Sequence, residues 1–171
     1  MTALPTNLTA GTWNVDALHS TFGFIARHAG VSKVRGQFEV IGGTLEVAED
    51  FENSTVSAEA DASSITTGNE QRDGHLQSGD FLLAEENPKV VFQSTAIKNF
   101  DGEEFELEGT LSMRGVSKPV TFKAEFSGAA EDPNGNMVAG FSATTKINRK
   151  DWDMNFDAVP KGGELLVSDK I

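Results

Sequence analysis

The chain contains no cysteine and no tyrosine, and it has no long apolar run. Without cysteine there can be no disulfide, no thiolate nucleophile and no cysteine-ligated metal site. Twelve phenylalanines supply nearly all of the aromatic surface, so the rings come almost without hydroxyl groups. A wall built from such rings offers few hydrogen bonds, and it therefore suits either an apolar ligand or an ordinary apolar core.

Positive charge is also scarce, because 14 lysines and arginines face 26 acidic residues and the net charge is -12. Nucleic-acid binding requires cations that neutralise phosphates, so nucleic acid is not expected as a partner. No stretch approaches the roughly 20 apolar residues of a membrane span. Residues 1–12 show neither the basic start nor the apolar run of a signal peptide. We therefore expect a cytoplasmic protein without stable membrane insertion.

A two-residue period dominates the chain and is clearest at residues 104–113. There Phe105, Leu107 and Gly109 alternate with glutamates and Thr110, which is typical of a strand with one dry face and one wet face. Gly42-Gly43 reads as a turn between two such strands. Similar segments are predicted at residues 12–16, 20–28, 33–41, 44–48, 54–62, 89–98, 119–127 and 137–148, and a last strand begins at 164–167 but is cut short by the end of the chain.

One helical insert interrupts this rhythm. The capping-box pattern from Thr67 to Glu70 predicts a short helix over about residues 68–78, with Thr67 as its N-cap and Gly79 as its stop. The sequence also allows a second helical turn at 83–87, ended by Pro88. Many strands with short connections predict an all-β antiparallel fold, either a barrel or a sandwich. The long strands favour an extended barrel of about eight strands, which is wide enough for one small ligand.

Histidines and acidic residues are too scattered to predict an enzyme. His19 and His28 are separated by an odd number of positions, and no metal-binding histidine spacing is present, so we expect no metal. Ser20, Asp73 and His75 could be drawn as a triad, but no Gly-x-Ser-x-Gly elbow exists. We expect no catalytic residues and no cofactor.

Several segments resemble, in order, the motifs of the YceI-like proteins. They are residues 13–20, 24–30, 34–38, 67–76, 88–94, 109–111, 114–119 and 149–152. The resemblance implies one lipocalin-like barrel domain over residues 12–171, preceded by a loose segment over 1–11. It also implies an apolar tunnel that holds a polyisoprenoid, an isoprenoid quinone or a similar lipid. Dimers are common in this family, so the resemblance leaves a homodimer open.

The resemblance implies that the inward-facing apolar side chains line the tunnel. They are Phe22, Phe24, Phe38, Phe92, Phe105, Leu107, Phe122, Phe126 and Phe141. It likewise suggests contacts to a ligand head group, or a place at the tunnel mouth, for Arg72, His75, Leu76 and Trp152. The same ring pattern would also form a solid core, and the polar residues of the helical insert could simply fasten it to the barrel. The predicted function is that of a lipid carrier or sequestering protein. The alternatives are an enzyme acting on an isoprenoid lipid and a stress-related interaction module without a small ligand.

Overall fold

The computed structural model describes residues 4–28 and 32–154. Its strands are β1 (Gly11–Asn14), β2 (Phe22–His28), β3 (Ser32–Val47), β4 (Thr55–Thr66), β5 (Lys89–Lys98), β6 (Glu104–Met113), β7 (Val116–Glu131) and β8 (Met137–Thr144). One helix, α1 (Glu70–Gln77), lies between β4 and β5, and short 3₁₀ turns occupy Phe51–Asn53 and Arg149–Trp152. The last predicted strand, at 164–167, lies outside the described residues.

All eight strands belong to one antiparallel sheet that curls into a half-barrel. From β3 to β8 each strand pairs with its neighbours in chain order, apart from the helical insert. β1 and β2 both pair with β3, β1 at residues 44–47 and β2 at residues 32–38, so together they act as one interrupted strand. Among the described strands, β8 pairs with β7 alone. The predicted all-β antiparallel, lipocalin-like fold is confirmed.

The turn predicted at Gly42-Gly43 was wrong, because β3 continues through both glycines as one strand of 16 residues. The pairing of β3 with β4 shifts register between Val40 and Gly42, which marks a β-bulge. Gly43 then lies against the β4 backbone. A Cβ added to Gly43 would be 2.9 Å from Ala58 Cα and closer still to the Ser57 carbonyl oxygen. Glycine is needed here because two strands approach closely, and the chain does not reverse its direction at this point.

A tight hairpin joins β6 to β7. Their ten consecutive residue pairs run from Glu104 opposite Glu125 to Met113 opposite Val116 without a register shift. The two turn residues, Arg114 and Gly115, have φ values of 55° and 73°. Positive φ at both central positions is what a type I′ hairpin turn requires, and such a turn matches the twist of the strands.

Helix α1 begins later than predicted. Asn69 is its N-cap and accepts a hydrogen bond from the Arg72 amide at 3.1 Å, so the predicted capping by Thr67 was wrong. Gly68 has φ +83° and separates Thr67 from the helix, which leaves the threonine at the end of the β4 segment. After the helix, the Asn87 amide donates to the Leu83 carbonyl, so the predicted second region forms as a single turn.

The core lies on the dry face of the sheet and is extended by segments that cover its ends. Leu8, Phe51 and Trp152 come from outside the strands, yet they are among the most buried residues, with exposures of 3%, 0% and 1%. Phe81, Leu82 and Ala84, from the segment after α1, belong to the same buried cluster. The half-barrel is thus lined by alternating strand residues and covered at its ends by loops and turns.

The two adjacent glycines of β3 give a matched test of this packing. We expect Gly43→Ala to destabilise the fold by about 1–3 kcal/mol, because its Cβ would press on the β4 backbone. Gly42→Ala should be neutral or slightly stabilising, because nothing lies within 4 Å of its Cβ. Urea unfolding followed by far-ultraviolet circular dichroism measures both values. Equal stability of the two variants would contradict the close approach at Gly43.

Candidate ligand-binding site

The predicted lining residues all lie on the dry face of the half-barrel. Phe92, Phe105, Leu107 and Phe126 are buried, with 5–8% exposure. The other lining residues are not fully covered: four are half-buried and one is 37% exposed, namely Phe22, Phe24, Phe38, Phe122 and Phe141. The inner wall therefore carries apolar rings that the described residues cover only in part.

These rings form separate groups along the wall. Phe38 contacts both Phe22 and Phe24, with centroid distances of 5.5 Å and 5.8 Å. Phe92 and Phe122 form a second pair, 5.2 Å apart. The third group is larger and comprises Phe51, Phe100, Phe105, Phe126 and Phe141.

Two members of the third group were not identified from the sequence. Phe51 lies in a 3₁₀ turn and Phe100 in the connection after β5, so neither takes part in a two-residue alternation. Their rings are 4.4 Å apart, and Phe51 meets Phe105 edge-on at 5.2 Å. Edge-on and tilted contacts at this distance stabilise packing between aromatic rings. This group packs the part of the interior that lies near the 3₁₀ turn at Phe51–Asn53.

Arg72 and Asp73 bind Thr67 and so fasten α1 to the end of β4. Arg72 donates from Nε to the Thr67 hydroxyl at 2.7 Å and from Nη2 to its carbonyl oxygen at 2.9 Å. Asp73 accepts from the Thr67 amide at 2.9 Å and from its hydroxyl at 2.5 Å. We call these three residues the α1 clamp. The guanidinium of Arg72 thereby serves the attachment of the helix.

His75 and Leu76 lie on the same short helix. The Nε2 atom of His75 is 2.9 Å from Asp80 Oδ2, and its ring meets Phe81 edge-on at 5.1 Å. Its side chain is 43% exposed, so the imidazole stays accessible to solvent. Leu76 is half-buried and packs against the core, where it covers part of the interior next to the α1 clamp.

Trp152, the last of the predicted mouth residues, is almost fully buried. Its side chain is 1% exposed, and its indole N–H donates to the Leu111 carbonyl at 2.9 Å. Arg149, at the start of the same 3₁₀ turn, is also 1% exposed and donates to the Met154 carbonyl. The turn thus packs an aromatic ring beneath the β6–β7 hairpin, and that ring has its hydrogen-bonding group satisfied.

The residues considered for catalysis are used elsewhere. Asp73 belongs to the α1 clamp, and His75 pairs with Asp80. Ser20 lines a cavity of about 420 Å³ beside β3, together with Ala17, Thr21, Gln37, Phe38, Glu39, Val40, Ser64 and Thr66. Within residues 4–28 and 32–154, no cluster of three or more histidine or acidic side chains is arranged to hold a metal ion. Most of the residues that line this cavity are polar, but Phe38 of the aromatic wall is also one of them.

One carboxyl group has a clearly shifted pKa in the loop between β1 and β2. The Asp16 pKa is lowered, mainly because its carboxylate is hydrogen-bonded to His19, whose Nδ1 lies 2.6 Å from Oδ2. The side chains of Asp16 and His19 are 56% and 82% exposed. A solvent-exposed pair of this kind is a local surface contact and contributes little to stability.

Of the helices in the described part of the chain, none has the length and apolar character needed to cross a membrane.

The α1 clamp predicts how a single hydroxyl affects the helix. Thr67→Val removes a donor to Asp73 and an acceptor for Arg72, and part-buried hydrogen bonds contribute about 0.5–1.5 kcal/mol each. We expect faster amide hydrogen exchange over residues 70–77, with exchange in β5 to β7 unchanged. Thr66→Val is the matched control, because Thr66 is exposed on the neighbouring position of β4. Identical helix exchange in both variants would contradict the clamp.

Known proteins share the sequence pattern and the architecture of this chain. The family model for the YceI-like domain matches residues 13–171. The protein YceI of Escherichia coli O157:H7 is 36% identical over 152 residues, which cover 86% of this chain and 77% of that protein.

Two solved structures share the fold. BcnA of Burkholderia cenocepacia has a TM-score of 0.78 at 16% identity, and the match covers 91% of this chain and 93% of that one. A polyisoprenoid-binding domain from Saccharophagus degradans, implicated in plant cell wall breakdown, has a TM-score of 0.66 at 14% identity, with 95% and 93% covered. Because the family match extends over most of the chain, this protein belongs to the YceI-like family.

Proposed function

We propose that the chain binds the apolar tail of a long-chain amphiphile inside the half-barrel and acts as a carrier or sequestering protein. The ligand class is a polyisoprenoid, an isoprenoid quinone or a similar lipid. The polyisoprenoid-binding domain with the same fold supports this choice, and so does the family membership. Cytoplasmic localisation and a homodimer stay predictions.

The observation that carries the proposal is the incomplete burial of the inner rings. Phe22, Phe24 and Phe38 are half-buried on the dry face, and Phe141 is 37% exposed there. Apolar rings without hydroxyls gain from contact with a hydrocarbon chain, at about 0.8 kcal/mol per buried methylene group. The opposite face of the same strands carries ion pairs such as Lys89–Glu59 and Lys98–Glu108, so the two faces differ sharply in polarity.

Affinity should depend on fit more than on hydrophobicity. A long isoprenoid normally resides in a membrane, and moving it into a protein exchanges one apolar medium for another. The net free energy then comes from shape complementarity, head-group contacts and the cost of ordering the chain. The protein need not transform the lipid in order to hold it.

The residues of α1 differ in their suitability for a polar head group. The exposed imidazole of His75 is the best placed of the predicted mouth residues, and Leu76 beside it would contact the start of the apolar chain. Arg72 would contribute through the α1 clamp, and Trp152 through the wall beneath the hairpin. We propose this arrangement as the mouth of the site.

The direct test is to identify the molecule that copurifies with the protein. We expect organic extraction of the protein purified from its host, followed by mass spectrometry, to release an unmodified isoprenoid lipid. Conversion of an added isoprenoid would instead indicate the enzyme alternative. Failure to extract or to load any lipid would contradict the proposal and favour the interaction module.

Two alanines on opposite faces of the sheet give a matched mutational test. Ala58 pairs with Phe92 on the dry face, whereas Ala96 pairs with Glu108 on the wet face. Both alanines are half-buried, so the two substitutions start from a similar exposure. We expect Ala58→Trp to lower retention of geranylgeraniol by about tenfold or more, because the indole would occupy the interior. Ala96→Trp should retain the lipid as the unsubstituted protein does.

The measurement is retention of tritiated geranylgeraniol after equilibration with phosphatidylcholine vesicles. Thermal unfolding of both variants checks that the fold survives. Equal retention by the two variants would contradict binding on the dry face.

A further inference from the structure

The ring of Phe24 lies directly over a glycine on the neighbouring strand. Phe24 in β2 is paired with Gly36 in β3, and both face the dry side of the sheet. A Cβ added to Gly36 would be 2.6 Å from Phe24 Cε1 and closer still to Cζ. Real Cβ atoms do not approach carbon atoms that closely, so the ring occupies the space that any other residue would fill. We call this contact the glycine seat.

The other neighbour of the seat is held in place. The Thr67 Cγ2 atom would lie 3.0 Å from the added Cβ, on the side of α1. Thr67 belongs to the α1 clamp and is fixed by its hydrogen bonds to Asp73 and Arg72. A side chain at position 36 would therefore displace the Phe24 ring in preference to the threonine.

Backbone conformation does not explain the glycine at position 36. Gly36 lies within the paired part of β3 and has no positive φ, so an L-residue could adopt its conformation. Gly42 on the same strand has nothing within 4 Å of an added Cβ. The space requirement thus applies to Gly36 and not to Gly42, and it concerns a side chain on the inner wall.

A displaced Phe24 ring would move into the interior. On the wall its neighbour is Phe38, whose centroid is 5.8 Å away and which in turn contacts Phe22. We propose that the glycine seat sets the width of the interior at the α1 end and thereby admits methyl-branched chains. This inference rests on the proposed lipid binding. It deepens that proposal by assigning the preference for branched chains to a particular residue.

A second glycine, Gly109, is covered by a phenylalanine ring in the same way. A Cβ on Gly109 would be 2.5 Å from Phe92 Cζ and 2.6 Å from its Cε2. Two rings on different strand pairs thus lie against the wall where a glycine leaves room. Gly109 also approaches the Gln93 carbonyl, so substitution there would disturb the backbone as well. Gly36 gives the cleaner experiment, because its close contacts are side-chain atoms.

Chain shape follows from the chemistry of the ligand. An isoprenoid carries a methyl branch on every unit and has a larger cross-section than an unbranched alkyl chain. Narrowing the interior by part of a ring should therefore exclude the branched chain first. Overpacking of a tight apolar site corresponds to about a tenfold loss of affinity or more.

The experiment compares two tritiated probes, geranylgeraniol and hexadecanol, each equilibrated between phosphatidylcholine vesicles and the protein. We expect Gly36→Ala to retain about tenfold less geranylgeraniol, with a much smaller change for hexadecanol. The double variant Phe24→Leu, Gly36→Ala should recover geranylgeraniol, because the smaller side chain removes the conflict. Gly42→Ala is the matched control on β3 and should behave as the unsubstituted protein.

Each outcome separates the seat from the lipid proposal itself. If the unsubstituted protein retains neither probe, the proposed function fails, and with it the inference. If it retains both, and Gly36→Ala either retains them unchanged or loses them equally, or if the double variant does not recover the branched probe, the glycine seat is overturned. Should Gly36→Ala not fold, Phe24→Trp enlarges the ring on the intact seat, and an unchanged preference between the probes would overturn the inference.

Discussion

The pairing along β3 is the constraint on which the rest of the structure depends. This strand of 16 residues pairs with β1 and β2 on one side and with β4 on the other. A register error of one residue would turn Val34, Phe38 and Val40 to the wet face and expose the whole inner wall. The bulge near Gly42 and the close approach at Gly43 accommodate the curvature that lets the sheet wrap around its core.

Much of the fold could be predicted from local pattern. The alternation in residues 104–113 predicts β6 with its observed bounds, because side-chain direction in a strand depends on sequence position alone. The capping-box pattern predicts the start of the helix to within two residues, but it predicts Thr67 as the cap, where Asn69 serves. Both residues can cap a helix, and the choice depends on the positive φ of Gly68.

The parts that could not be predicted involve contacts between distant segments. Gly42-Gly43 has the composition of a turn, and only the approach of β4 shows why a strand needs glycine there. Phe51 and Phe100 follow no period, so their burial with Phe105 cannot be read from the sequence. The bond from the Trp152 indole to the Leu111 carbonyl joins residues 41 positions apart, and no local pattern indicates it. Short-range patterns contain no information about such partners.

Helix α1 is stabilised differently from the sheet. It has eight residues, contains Gly74 and has no fully buried side chain, so helix propensity and core packing stabilise it only weakly. Its attachment comes from the polar bonds of the α1 clamp, with Leu76 and the buried segment after it providing apolar contact. The end of the half-barrel is therefore covered by an element whose stability depends on a few named hydrogen bonds.

The β6–β7 hairpin bears on the order of events during folding. Its ten residue pairs close a loop of only two residues, so little chain entropy is lost before the contacts form. The pairing of β4 with β3 has two register shifts and closes a longer connection, between Glu46 and Thr55. We expect the hairpin to be a nucleus in the transition state, with the half-barrel growing outward from it in both directions.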